Sequence, residues 1–266
     1  MKRALSFLSV CLLASLCALP ALAKDKDKVE KVKFDFNGKS REYSLLVPGS
    51  AAPTAPLPAV LLLHYQGGWA SDVMGAWKGY ASRQGFMIVA PESTNNTMWD
   101  SKLDGADFLH AAMLDANKKH PIDPTKVFIF GDDSGGIYGY EIALFDSQDW
   151  GSACAEHAIM DTSNYSLFKM AQRKTAFQDW VGGEDPDHPL RVMVLEHDAF
   201  TNAGFTFDLK IIPNSPGTYG NVVDQVNEGC YTFFMKHPLP GPGAQYLVNA
   251  AAAAPAAAPA AAPAPK

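Results

Sequence analysis

The sequence contains little cysteine, little charge and no excess of basic residues. Only 4 of its 266 residues are cysteine, and 19% are charged. The formal net charge is −6, which argues against a nucleic acid or an anionic membrane as the partner, because both attract basic surfaces. Hydrophobic residues make up 47%, a composition that excludes a mostly disordered or collagen-like chain. The length allows one large domain or two small ones.

The longest apolar run lies at the N-terminus. Lys2 and Arg3 precede it, and it ends in Ala21-Leu22-Ala23, the small residues of a cleavage site. This arrangement predicts a signal peptide over residues 1–23 and a secreted or periplasmic protein. A membrane anchor is the alternative, because the run is long enough to span a bilayer. Pro20 and the cleavage motif favour the signal peptide, and no membrane span is expected after cleavage.

The C-terminus is almost only alanine and proline, and regular proline blocks a continuous helix. We therefore expect a disordered tail over residues 247–266 and one folded domain over 24–246. Two cysteines remain in that domain, Cys154 and Cys230. In an exported chain they are either a disulfide or two buried thiols, and the sequence leaves both open.

The hydrophobic pattern predicts an α/β fold. Several apolar runs are continuous rather than alternating, which is typical of strands buried on both faces of a parallel sheet. Strands are predicted at 32–36, 42–47, 59–63, 86–90, 127–130, 157–160, 176–181 and 205–212. Helix faces are predicted at Trp69, Val73, Trp77 and Tyr80, at Leu190, Val194, His197 and Phe200, and at Val222, Val226, Cys230 and Phe233. The alternation of strands and helices indicates a mainly parallel sheet.

Ligands of such sheets bind at the carboxyl ends of the strands, so the residues there are the site candidates. They are His64-Tyr65-Gln66-Gly67-Gly68, Gly131-Asp132-Asp133-Ser134-Gly135-Gly136, Asp161-Thr162-Ser163 and Gly182-Gly183-Glu184-Asp185. Four of these carboxylates, at positions 132, 133, 161 and 185, could converge on a cation or a basic ligand. A solvated acidic rim is the alternative. The sequence contains no motif for a metal or a cofactor.

These motifs resemble the α/β-hydrolase superfamily, and within it the secreted carboxylesterases of the polyhydroxybutyrate-depolymerase and feruloyl-esterase type. The entry hairpin is similar at residues 43–48, the oxyanion loop at 61–68 and the nucleophile strand at 122–135. The resemblance implies an eight-stranded, mostly parallel sheet with helices on both faces. It also implies a serine nucleophile on a G-x-S-x-G elbow, a histidine base, an aspartate that orients the base, and oxyanion-binding amides.

The catalytic residues depart from that pattern. Asp133 stands at the nucleophile position between Gly131 and Gly135, and Ser134 follows one residue later. Asp185 matches the position of the acid. The base is expected within residues 213–219, where Gly217 or Thr218 stands instead of histidine. A strained turn is expected at Asp133, and a Ser at 133 with a His at 217 is expected to restore the motif in part.

The oxyanion loop keeps His64, Gly67 and Gly68, but Tyr65 replaces the glycine that usually follows the histidine. His64 either supports this loop or acts as a base from the other side of the pocket. Three functions remain open. The first is a catalytically impaired protein that binds a small-molecule or polymeric ester-like ligand. The second is an active ester hydrolase that uses Asp133 or Ser134 with Asp185. The third is a structural protein of the envelope.

Overall fold

The computed structural model describes residues 26–217 and 219–253. The predicted signal peptide with its two cysteines, residues 24 and 25, Thr218 and the tail beyond residue 253 lie outside the described residues. Within them, no helix is long and apolar enough to cross a membrane.

One eight-stranded sheet organises the chain, in the order β1-β2-β4-β3-β5-β6-β7-β8. The strands are β1 Lys28–Phe36, β2 Lys39–Val47, β3 Leu57–Leu63, β4 Met87–Pro91, β5 Ile122–Asp132, β6 Ser152–Glu156, β7 Ala176–Gly182 and β8 Thr206–Ile212. The hairpin β1–β2 and the pair β2–β4 are antiparallel. All pairs from β4 to β8 are parallel. The predicted eight-stranded, mostly parallel sheet is confirmed.

Seven α-helices are described: α1 Ala70–Gln84, α2 Ala106–Lys119, α3 Ser134–Phe145, α4 Leu167–Met170, α5 Leu190–Asn202, α6 Tyr219–Lys236 and α7 Gln245–Ala253. They form two layers over two apolar cores. Helices α1 and α6 pack on one face of the sheet, and α2, α3, α5 and α7 pack on the other. In β3, Leu61 contributes to one core and Val60 and Leu62 to the other. A strand buried on both faces must be apolar throughout, which explains the continuous runs.

Three predictions about elements were wrong. The sixth strand is β6, and the predicted strand 157–160 is a loop that begins with His157 at φ 61°. On α5 the buried residues are Met193, Glu196 and Phe200, so the predicted face is displaced and Val194 is exposed. Trp69 is 54% exposed because it caps the N-terminus of α1 rather than packing in its stripe, whereas Trp77 is buried as predicted.

The domain continues past the predicted boundary at residue 246. Helix α7 extends to Ala253, and its Leu247 is buried against the core beneath α2 and β5. A run of alanines forms this helix before the first proline of the tail, at position 255, interrupts it. The expected disorder is therefore wrong for residues 247–253.

Cys154 and Cys230 form a disulfide, with their Cα atoms 5.7 Å apart. The bond ties the small-residue strand β6 to α6. It therefore fixes the helix that follows the β8–α6 loop, where the sequence analysis expected the base.

Candidate active site

The chain reverses direction sharply at Asp133, between β5 and α3. Asp133 has φ 51° and ψ −117°, a backbone region that non-glycine residues rarely occupy. Its carbonyl accepts hydrogen bonds from the amides of Gly136 and Ile137, at 2.8 and 3.0 Å, and these begin the helix. The predicted strained turn at Asp133 is confirmed. The side chain is 40% exposed above the sheet.

Close backbone packing explains the glycines of this elbow. A Cβ at Gly131 would collide with the backbone of Gly135, and a Cβ at Gly135 would lie 2.6 Å from the carbonyl oxygen of His64. A Cβ at Gly136 would lie 2.8 Å from the methyl group of Ala155. The start of α3 therefore presses directly against the end of β3 and against β6. This packing brings the elbow next to the oxyanion loop.

The oxyanion loop is supported by His64 from below. The buried His64 ring donates from Nδ1 to the carbonyl of Tyr65 at 2.9 Å, and its Nε2 accepts from the amide of Ser93 at 3.4 Å. Trp99 Nε1 donates to the carbonyl of His64 at 2.9 Å. Both ring nitrogens are therefore used within the loop. This geometry gives His64 a supporting position and no free nitrogen toward the cleft.

The rest of the loop turns away from the sheet. Gln66 and Gly67 are exposed, and the Gly67 amide donates to the carbonyl of Asn96 at 2.6 Å. The Gly68 amide closes a turn onto the carbonyl of Tyr65 at 3.0 Å. The Tyr65 ring lies over Gly68, where a Cβ would come within 2.9 Å of it, so Gly68 cannot be larger without moving the ring. Tyr65 also lines the cleft beside Asp133.

Ser134 is the first residue of α3, and its side chain does not face the cleft beside Asp133. Its Oγ is buried and has no hydrogen-bond partner among the described residues, and the side chain does not line the cleft. The backbone direction of the elbow explains this, because successive residues at a sharp turn point to different sides. Its amide, with that of Tyr65, lies at the two sequence positions from which this kind of site donates to an oxyanion.

Asp185 follows β7, and its carboxylate accepts several hydrogen bonds. One carboxylate oxygen, Oδ1, accepts from the amides of Asp187 at 2.8 Å and His188 at 3.1 Å. The other, Oδ2, lies 3.0 Å from His188 Nδ1 and 3.1 Å from His157 Nε2. Burial by itself would raise the pKa of Asp185, but these hydrogen bonds and the nearby His157 lower it below its ordinary value. Asp185 is therefore ionised at neutral pH, and its hydrogen bonds fix the position of the carboxylate.

His188 reaches from Asp185 toward the elbow. Its Nε2 is 3.9 Å from Asp133 Oδ1, while its Nδ1 faces Asp185. His188 is not among the site residues that the sequence indicated. His188 comes from the loop that carries the acid, not from residues 213–219. Its position three residues after Asp185 is the signal in the sequence that could have indicated it.

His157 occupies the space that a base from the β8–α6 loop would need. Gly217 has φ 83°, and a Cβ there would collide with Asp185 Oδ2 and lie 2.7 Å from His157 Nε2. The loop therefore has no room for a side chain at 217. A histidine at Gly217 would have to displace Asp185 and His157, so partial restoration of the motif by Asp133→Ser with Gly217→His stays a prediction.

Two carboxyl groups beneath the elbow are buried. Burial, strengthened by nearby negative charge, raises the pKa of Asp132 to about 7 and that of Glu156 to about 9. Glu156 Oε2 contacts His157 Nδ1. Burial also lowers the pKa of His157, against the opposing effect of Asp185. Neither Glu156 Oε2 nor His157 Nε2 has a hydrogen-bond partner among the described residues, so His157 lies near both carboxyl groups without a hydrogen bond to either through these atoms.

A cleft of about 470 Å³ opens above these residues. Its lining joins the oxyanion loop, α1, the elbow and the start of α6. The residues that line it are Tyr65, Asp72, Val73, Ala76, Asp132, Asp133, His157, Gly217, Tyr219, Gly220 and Val223. Asp161, the fourth carboxylate of the predicted cluster, instead accepts from the amide of Ser163 at 2.8 Å and begins a short 3-10 helix.

His157, Asp185 and His188 are also the best-placed metal-ligand set in the cleft, since their ligand atoms lie within 4.8 Å of one another. The two imidazole rings are stacked, however, with 23° between their planes and centroids 4.9 Å apart. A metal ion binds along a nitrogen lone pair, in the plane of each ring. In this structure Asp185 Oδ2 lies 3.1 Å from His157 Nε2 and 3.0 Å from His188 Nδ1, so a carboxylate oxygen stands where the two rings converge.

Solved structures match this architecture over most of the chain. An S-formylglutathione hydrolase from Agrobacterium tumefaciens matches with a TM-score of 0.63, covering 79% of this chain and 95% of that chain at 15% identity. The chain has the α/β-hydrolase fold. A ferulic acid esterase matches with a TM-score of 0.61, 79% and 99% coverage and 14% identity. No family model and no curated protein matches the sequence.

A third neighbour is a fluorophosphonate-binding serine hydrolase from Staphylococcus aureus, with a TM-score of 0.61 and 14% identity. It covers 78% of this chain and 98% of that one. At such identities the likeness concerns the fold alone. The α/β-hydrolase fold has esterase-type neighbours, and the role of each residue in the cleft has to be argued from its own geometry.

Proposed function

We propose that this protein is exported, has lost serine-esterase catalysis and binds an ester-like small molecule or polymer in the cleft above Asp133. The observation that carries the proposal is the filled base position. His157 and Asp185 occupy the space into which a side chain at Gly217 would project. The base of a serine esterase is therefore missing from this loop, and His188, 3.9 Å from Asp133, has no serine at the nucleophile position to activate.

The elbow supports the same conclusion. Asp133 stands at an elbow whose oxyanion donors, by their sequence positions, would be the amides of Tyr65 and Ser134. A negative charge there repels that oxyanion and competes for its donors. The only hydroxyl of the elbow, on Ser134, is buried. An esterase that lacks its nucleophile typically loses about four orders of magnitude or more in rate.

Ligand binding is favoured because the cleft has kept its shape. It retains about 470 Å³ of space, with the exposed ring of Tyr65 on one side and Tyr219 on another. Pockets of this size with aromatic walls and a few polar groups hold small organic ligands. The esterase-type neighbours suggest an ester-like ligand by analogy of fold.

Export is supported by two separate features. Residues 1–23 have the charges, apolar run and small-residue site of a signal peptide. The Cys154–Cys230 disulfide belongs to an oxidising compartment. N-terminal sequencing of the protein from the cell envelope and the medium tests this part, with Lys24 as the expected first residue.

The loss of esterase chemistry is tested with p-nitrophenyl acetate and p-nitrophenyl butyrate. We expect the purified mature chain to show no saturable turnover, and Asp133→Ala to be indistinguishable from it. A saturable activity that disappears in Ser134→Ala would overturn this part of the proposal.

Binding is tested by titrating methyl ferulate and a soluble 3-hydroxybutyrate oligomer, followed by NMR. We expect at least one of them to perturb the resonances of Tyr65 and Tyr219. Val223→Trp fills the cleft and should abolish that perturbation, whereas Val194→Trp, on an exposed face of α5, should not. Binding that survives Val223→Trp places the ligand elsewhere and contradicts the proposal.

A further inference from the structure

We propose that a second groove, separate from the cleft, binds a chain of acidic sugars. The groove lies between the β1–β2 hairpin and residues 92–105, which join β4 to α2. It shares no lining residue with the cleft above Asp133. The inference therefore does not rest on the proposed function, and it adds a binding site of different chemistry.

The shape of the groove suits a chain-like ligand. It consists of a cavity of about 540 Å³ and a neighbouring cavity of about 350 Å³. The two cavities share four lining residues, which are Phe36, Asn37, Lys102 and Leu103. Of the two, the first is lined by Trp69 and the second by Phe145 of α3. Because the cavities share walls, they form one elongated groove with an aromatic ring in each part.

Arg41 fixes the walls of this groove. Its guanidinium donates to the carbonyl groups of Leu103 at 2.8 Å and Glu92 at 3.1 Å, and to the carboxylate of Asp104 at 2.7 Å. It also lies over the ring of Phe108 in α2, 3.5 Å from the centroid. The hairpin, the following loop and α2 are thus tied together. The groove is preformed, and a ligand does not have to order its walls.

The free positive charge of the groove comes from lysines. Lys33, Lys39 and Lys102 are exposed and line the first cavity, and none of the ion pairs among the described residues includes them. The whole chain has a net charge of −6, so three unpaired ammonium groups in one groove are a local exception. A groove concentrates the field of the charges that line it, which favours an anionic ligand here.

The carboxylates of the first cavity already have partners. Glu42 pairs with Lys31 at 2.6 Å, and Glu92 accepts from the amide of Ala70 at 3.0 Å. Asp107 is exposed, but it lines the second cavity and not the first. Positive charge therefore predominates in the first cavity, where we expect the anionic groups of the ligand.

The exposed aromatic rings indicate a sugar. Trp69 is 54% exposed and Phe145 is 55% exposed, and large apolar side chains that line one groove in this way mark interaction sites. The C–H groups of a sugar ring carry partial positive charge and pack against the negative face of an aromatic ring. Asn37, Ser40 and Thr94 line the groove as well and offer hydrogen bonds to hydroxyl groups. Sugars that carry a carboxylate match all three features of the groove.

Binding is tested by titrating an oligogalacturonate into the mature chain, followed by calorimetry and NMR. We expect saturable binding that perturbs the indole resonance of Trp69 and weakens as added salt screens the lysines. A neutral galactose oligomer of the same length should bind at least about tenfold more weakly, because it lacks the carboxylates that pair with the ammonium groups.

Variants locate the site. Trp69→Ala should weaken binding by about tenfold because it removes a stacking surface, and Lys39→Gln combined with Lys102→Gln should do the same because it removes charge. Lys78→Gln changes an exposed lysine of α1 outside the groove and should bind as the wild type does. Val223→Trp, which fills the cleft, should also leave this binding unchanged.

Several results overturn the inference. They are no saturable binding of the oligogalacturonate, equal binding of the neutral oligomer, or unchanged binding in both groove variants when circular dichroism shows them folded. Tighter binding of a thymidine oligonucleotide of the same length would assign the groove to nucleic acid and overturn the inference too. Because the cleft shares no lining residue with the groove, each of these results leaves the proposed function to its own test.

Discussion

The β5–α3 elbow and the β8–α6 loop carry the nucleophile and the base in the esterases that this chain resembles, and here they have diverged to different degrees. The elbow keeps its backbone, with Asp133 at φ 51°. The loop has Gly217 at φ 83°, packed against His157 and Asp185. The elbow has the strained backbone expected for the fold, with an aspartate where the resemblance implies a serine. At the loop the side chain is absent and other residues fill its space.

The contacts explain this difference. The elbow is held by backbone against backbone, since Gly135 lies on the carbonyl groups of Leu63 and His64. Such contacts do not depend on which side chain stands at 133. The backbone of the loop also packs closely on Gly182, but at Gly217 itself the space is filled by the side chains of His157 and Asp185, which can move in part. Mutations at the two glycines test this explanation directly.

The largest effect is expected for Gly135→Ala. The new methyl group would meet the fixed backbone of β3, and we expect a loss of about 4 kcal/mol in the free energy of unfolding. Urea denaturation measures it. Gly75→Ala is the control, because the space around Gly75 on α1 is open and its stability should change by less than about 1 kcal/mol. Equal losses in both variants would refute the backbone explanation.

Gly217→Ala should cost less, about 2 to 3 kcal/mol. Its methyl group would meet the side chains of Asp185 and His157, which can move in part, although the positive φ still penalises alanine. Gly220→Ala, with open space around it, is the matched control. A larger loss of unfolding free energy in Gly217→Ala than in Gly135→Ala would mean that the loop, and not the elbow, is the more rigid of the two regions.

The buried carboxyl groups between the two regions predict a pH dependence. Burial raises the pKa of Glu156 to about 9, and that of Glu196 on α5 to about 8. The native state therefore binds protons that the unfolded state releases above about pH 4.5, so stability falls as the pH rises. We expect the free energy of unfolding to fall steadily between about pH 5 and about pH 9. Thermal unfolding across that range measures it.

Glu156→Gln should flatten this dependence, because glutamine cannot ionise. The exposed Glu228→Gln should leave the slope unchanged. A slope that is the same in Glu156→Gln and wild type would mean that Glu156 is already charged in the folded protein.

The smallest effect is expected for Asp133→Gly. Glycine relieves the strained backbone but adds entropy to the unfolded chain, and we expect a net gain of about 1 kcal/mol. Asp133→Ala separates strain from charge, since it removes the carboxylate and keeps Cβ. A gain of equal size in both variants would show that charge repulsion, not backbone strain, destabilises the elbow.

The fold could be predicted from the sequence because its signals are local. Runs such as 59–63 and 127–130 are apolar throughout, and only strands covered on both faces need that pattern. Strand β6 escaped prediction because Ser-Ala-Cys-Ala has weak strand propensity, and its small side chains are required by the close approach of Gly136. Trp69 is exposed because α1 begins one residue after it, at Ala70. The spacing of the apolar residues along α1 did not specify where the helix begins.

For the site, the sequence by itself determined the elbow, since Gly131, Asp133, Gly135 and Gly136 form a local motif whose spacing dictates the turn. It also determined that no serine stands at the tip and that Asp185 follows β7. Only the tertiary structure decided which histidines lie beside Asp185. His157 and His188 come from two different strand ends, and parallel strands bring such ends together whatever their separation in the chain. Their contact with Asp185 is a property of the assembled sheet, which no local pattern encodes.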